Sequence, residues 1–170
     1  MSRKCELTPT ELYFCAGLMN AKYLDYAYIQ AMPDIQKQYT LHKQEALEKL
    51  EEKGLIEMDF DGRVIVDQEF EKLLRPVFFG EKESRLDMVG HPSIRFHMND
   101  GEIIMSVMKG GLIELTEITD YEIYELLEED QVEIHLSDIH VGKKSGIFTS
   151  EDMKDEADKK MAVKLLKGEE

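Results

Sequence analysis

Apolar positions along the chain repeat with two periods, one near 3.6 residues and one near 2. Leu12, Cys15, Ala16 and Met19 recur at i, i+3, i+4 and i+7, the stripe of an amphipathic helix. Thr8 stands where its N-cap belongs, Pro9 at the first helical position, and Glu11 where a capping box places its acid. Tyr23, Tyr26 and Tyr28 follow, a short second helix or a packed loop before Pro33-Asp34 restarts the chain. Leu41 to Lys53 predicts a helix with Leu47 and Leu50 inward, stopped by Gly54, with Leu55 folding back onto Leu50. Ile56 to Phe60 and Arg63 to Val66 predict two short strands joined by Asp61-Gly62, a dipeptide favoured in tight hairpins. Asp67 can cap a further helix carrying Phe70, Leu73 and Leu74, which Pro76 is expected to end.

The segment Gly80 to His91 is charged and punctuated by glycine, and reads as a connection between two halves. The period then shortens to two. Ile94, Phe96 and Met98 alternate with Arg95 and His97, Asn99-Asp100-Gly101 is a turn, and Glu102 to Met108 is a strand. Lys109-Gly110-Gly111 is a second turn and Leu112 to Glu117 a third strand, so an antiparallel meander is expected. Thr119 opens a short helix running to Glu129 with Ile123, Leu126 and Leu127 on its apolar side, and Val132, Ile134 and Leu136 alternate as a fourth strand. From Ser150 the chain is acidic first and basic last, which suits a helix dipole. Its apolar anchors are few (Met153, Ala157, Met161, Leu165), so the helix is marginal on its own.

These elements predict an α+β fold. Residues 1–80 form a winged-helix-like helical part with a small β-wing, residues 81–149 an antiparallel sheet of about four strands with a short acidic helix, and residues 150–170 a charged tail or helix. The parts could equally share one compact domain. Length supports this: a folded chain of 170 residues hides about 70% of its unfolded surface and needs no disulfide or metal to build a core. With no long apolar run and no signal peptide, the expected location is the cytoplasm, without membrane insertion.

Charge narrows the function. The net charge is -15, with 10 basic and 14 acidic residues up to residue 80 but 11 and 22 beyond it. Gly110 to Gly142 contains no Lys or Arg. Such a segment is a solvated face or a landing surface for a basic protein partner. It lacks the spacing of an EF-hand calcium loop. The helix that a winged-helix regulator would place in DNA has Lys43, Lys49 and Lys53 against Glu45, Glu48, Glu51 and Glu52. Because phosphate contacts dominate such affinities, that balance argues against nucleic acid.

Catalytic and metal signatures are missing. The histidines (His42, His91, His97, His135, His140) form neither HExxH nor a zinc spacing, and no GxSxG, Walker or GxGxxG motif follows a strand. His97 should leave the Phe96 face for solvent or a polar neighbour, and His135 and His140 could meet across a turn. Cys5 belongs to a mobile terminus and Cys15 to a helix core face. The expectation is no enzyme, no cofactor and no metal. Ten methionines are mostly core filler, but Met105 and Met108 share a strand and point to opposite faces, which would expose one of them.

The opening Leu7-Thr-Pro-Thr-Glu-Leu12 and the run Leu50-Glu-Glu-Lys-Gly-Leu-Ile-Glu-Met-Asp-Phe-Asp-Gly-Arg-Val-Ile-Val-Asp67 carry a resemblance. With the helix to Leu74, Arg75-Pro76 and the strand Ser93 to Met98, the order is similar to EspG-type chaperones of type VII (ESX) secretion. In length the chain is nearer the EsaE-like accessory proteins. The resemblance spans roughly residues 7–118 and implies a non-catalytic cytosolic chaperone or adaptor that keeps a secretion substrate soluble and export-competent. The implied partner is a secreted effector or toxin, a helical hairpin or a basic protein, and indirectly the secretion machinery. From position and chemistry, the candidate partner contacts are Met105, Met108, Lys109, Gly110, Gly111, Glu114, Glu125, Glu128 and Glu129. The rival readings are a winged-helix transcriptional regulator and an immunity protein that blocks a basic toxin.

Overall fold

The computed structural model describes residues 4–80, 82–99, 101–128, 132–138, 143–149 and 156–167. The chain opens with strand β1 (Lys4–Leu7) and helix α1 (Pro9–Met19). The capping box forms as expected: the Thr8 hydroxyl accepts from the Glu11 amide, and Glu11 accepts from the Thr8 amide at 2.9 Å. The tyrosine-rich stretch resolves as a helix, α2 (Tyr26–Gln30), capped by Asp25. After a 3-10 turn comes α3 (Tyr39–Glu52), with Leu47 and Leu50 buried and Gly54 left-handed at its end.

Strands β2 (Ile56–Met58) and β3 (Val64–Val66) form the wing. Its loop is longer than a two-residue turn. The Asp59 carboxylate accepts from the amides of Asp61 and Arg63 and closes the loop, a side-chain contribution that Asp61-Gly62 alone does not announce. Helix α4 (Gln68–Phe79) runs through Pro76 rather than ending before it. Val77 and Phe78, on the turn after the proline, are buried, and this burial outweighs the lost hydrogen bond.

The segment read as a connection is strand β4 (Lys82–Met88). Ser84, Leu86 and Met88 point to one face while Arg85 and Asp87 point to the other, an alternation hidden by its charges. The meander is present as β5 (Ile94–Asn99), β6 (Glu102–Lys109) and β7 (Leu112–Glu117), followed by α5 (Asp120–Leu127), β8 (Val132–Asp138), β9 (Lys143–Thr149) and α6 (Glu156–Leu166). Among the described residues the sheet has seven strands, not four, all antiparallel, in the order β1-β7-β6-β5-β4-β8-β9.

Helices cover both faces of this sheet. On one side Leu12, Leu50, Phe70, Leu74 and Phe78 pack on Ile104, Ile113 and Leu115. On the other, Ile123, Leu127, Ala162, Val163 and Leu166 pack on Phe96, Ile103, Val107 and Ile134. The core face of α6 is therefore Ala162, Val163 and Leu166, whereas Ala157 and Met161 of the expected anchors are exposed. Met153 lies outside the described residues. Cys5 is not in a loose end: it sits in β1 opposite Leu115. Among the described residues no helix is long and apolar enough to cross a membrane.

Candidate functional site

The helix-α4 face of β4, β5, β6 and β8 carries the most concentrated polar chemistry. Cross-strand register puts Arg85 beside Arg95 and His135, Asp87 beside Glu133, and Arg95 beside Ser106, so all share one face. Asp25, the cap of α2, accepts from the Ala27 amide through one oxygen and from Arg95 Nε through the other, the latter at 2.8 Å. The Arg95 guanidinium also lies 5.7 Å from the centre of the Tyr28 ring. Tyr28 Oη is hydrogen-bonded to Ser106 Oγ, which is 2.8 Å from His97 Nε2.

A serine beside a histidine invites a nucleophile reading. Burial argues against it, because Ser106 has no exposed surface and His97 is 2% exposed. Desolvation lowers the His97 pKa to about 4, with Arg95 adding to the effect and Asp25 opposing it. A neutral imidazole, a hydroxyl and a phenol thus join β5, β6 and α2 through side chains. A neighbouring cluster is half-exposed: Asp87 accepts from Ser93 Oγ and Arg85 Nε, while His135 Nε2 lies 2.7 Å from Glu133 and 3.3 Å from Asp87. Among the described residues, no group of three or more His, Cys, Asp or Glu is placed to hold a metal ion.

The clefts lie elsewhere. One of about 460 Å³ runs between α5 and α6, lined by Tyr121, Tyr124, Val163, Lys160 and Lys164. Another of about 480 Å³ lies between α1 and α3, where Glu45, Glu48 and Glu52 face Thr8 and Thr10. The wing presents apolar surface outward: Phe60 is fully exposed, and Met58 and Ile65 are about half exposed.

The residues singled out from sequence divide among several places. Met105 and Met108 are both half-buried, Met105 against the core under α5 and α6 and Met108 against the core under α1 and α4. Neither is exposed, and they share no surface. Lys109, Gly110 and Gly111 form the exposed β6–β7 turn. Glu114 is half-buried and paired with Lys4 at 3.2 Å. Glu125 and Glu128 are exposed on or just past α5, with Glu125 hydrogen-bonded to Tyr121, while Glu129 lies outside the described residues.

His97 does leave the Phe96 face, for a buried polar neighbour rather than solvent. His140 lies outside the described residues, so its meeting with His135 does too. Sequence reasoning missed the partnership of Asp25, Tyr28, Arg95 and Ser106. Its one local trace is the Arg95/His97 alternation within an apolar strand.

No protein-family model matches the sequence, and no curated protein matches it.

Proposed function

We propose that the chain is a non-catalytic protein-binding module, a chaperone or adaptor that shields an apolar segment of a secreted partner until a type VII pathway exports it. The observation that carries this reading is the wing. Three large apolar side chains stand exposed on this hairpin: Phe60 in its loop, Ile65 on one face and Met58 on the other. A fully exposed aromatic ring flanked by exposed aliphatic side chains is the kind of anchor that interaction surfaces use. Glu57, Asp59 and Asp61 rim it, so a partner with basic residues flanking an apolar segment fits best.

The same helix-and-wing arrangement occurs in nucleic-acid binders, but α3 here offers exposed acids alongside its lysines. Lys53 is committed to Glu11 and Lys49 to Glu52. The test is affinity capture from native lysate with the wild-type protein and with Phe60→Asp. A protein recovered by the wild type and lost by the variant supports the reading. Equal recovery by both overturns the role of the wing, and enrichment of DNA in place of protein favours the regulator.

A further inference from the structure

The groove between α5 and α6 has a chemistry unlike the rest of this acidic molecule. Its floor is Val163, which is buried, and its α5 wall is Tyr121 and Tyr124. Its α6 wall is Lys160 and Lys164, both exposed and with no ion-pair partner among the described residues. Lys167 pairs with Asp120 at 3.1 Å and ties the end of α6 to the start of α5, closing one end. Lys159 lies 5.8 Å from the centre of the Tyr124 ring and holds that wall from outside the groove.

We propose that this groove docks a short acidic segment of a partner protein, bound extended, with carboxylates two residues apart and an apolar side chain between them. The spacing supports the pattern. Lys160 and Lys164 are one helical turn apart on one side of α6, a rise of about 6 Å. In an extended peptide, side chains at i and i+2 point the same way about 6.7 Å apart. Two such carboxylates therefore reach the two ammonium groups together, while the intervening side chain turns to the tyrosines of α5.

The overall negative charge does not forbid this. At physiological salt, charges beyond about 8 Å are screened. Of the acids at the groove itself, Asp120 is paired with Lys167 and Glu125 is hydrogen-bonded to Tyr121, so on the α6 side an incoming carboxylate meets the two lysines. Tyr121, 70% exposed, supplies a broad rim with little entropy to lose on docking. This site is separate from the wing and stands or falls independently of it.

The experiment is selection of a phage-displayed library of random short peptides on the wild-type protein. Enriched peptides are then synthesised and titrated against wild type, Lys160→Glu/Lys164→Glu and Tyr121→Ala, all at exposed positions, with circular dichroism confirming that each variant is folded. The expected result is enrichment of acid–apolar–acid sequences, with affinity for the double-lysine variant about tenfold weaker or worse, as for reversal of close charge pairs, and a smaller loss for Tyr121→Ala. Failure to enrich any peptide, enrichment without that pattern, or equal binding by the double variant overturns the proposal.

Discussion

Lys53, at the end of α3, donates to both carboxylate oxygens of Glu11 in α1, at 3.0 and 3.2 Å, and to the backbone carbonyl of Glu6. Glu11 is only 4% exposed, and its carboxylate also accepts from the Thr8 amide, so one lysine neutralises a buried charge and clasps β1, α1 and α3. Removing Lys53 leaves that carboxylate buried without its counter-charge. Lys53→Met should cost about 3 kcal/mol of folding stability, read from urea denaturation. A loss below about 1 kcal/mol, the scale of an exposed pair, would show that water already neutralises Glu11.

His97 makes stability depend on pH. Its pKa is lowered from 6.5 to about 4 in the folded protein, so between those values the unfolded chain binds the extra proton. The stabilisation is complete above pH 6.5 and is lost as pH falls towards about 4, a change on the order of 3 kcal/mol. Urea denaturation at pH 7 and pH 4.5 measures it against His97→Gln, which should flatten the profile. Parallel profiles for the two proteins would refute the assignment to His97.

Gly80 is required for closeness rather than for an unusual dihedral. Its φ of -65° is open to any residue, yet a Cβ there would lie 2.5 Å from the Pro76 carbonyl oxygen and 2.7 Å from that of Met98. Both neighbours are backbone, so α4 and β5 would have to separate. Gly80→Ala should destabilise by about 3 kcal/mol, seen as a lower Tm. An unchanged Tm would mean that the helix end shifts freely.

Burial pushes the Cys5 and Cys15 thiols up to about 12, with Glu11 nearby adding to the shift. Thiolate is the reactive form, so iodoacetamide at pH 8 should leave both unmodified in the native protein and label both in urea. Rapid labelling of Cys5 alone in the native state would show β1 detaching from β7.

Phe60 contributes surface and not core. Phe60→Asp should change folding stability by no more than about 0.5 kcal/mol, so loss of a captured partner by that variant reports binding. A large fall in Tm would instead place Phe60 in the packing of the wing.

What the sequence determined by itself is the set of features that depend on a few neighbouring residues. The Thr8–Glu11 capping box, the left-handed stop at Gly54, the turns at Gly101 and Gly110-Gly111, and the alternation of Ile94, Phe96 and Met98 all appear where their patterns place them. Each is set by backbone conformation and hydrogen bonds within one or two turns of chain, so local residue identity suffices. Tertiary structure decided the rest. β4 became a central strand because Leu86 and Met88 enter the core under α5 and α6 while its backbone pairs with β5 on one side and β8 on the other, something no local window contains. α4 passed through Pro76 because Val77 and Phe78 had a core to enter, and α6 turned Ala162, Val163 and Leu166 inward because the sheet lay on that side. Asp25 and Tyr28 lie far in sequence from Arg95 and Ser106 and meet them only where α2 reaches β5 and β6, since a buried polar group takes its partner from whatever the fold brings within reach.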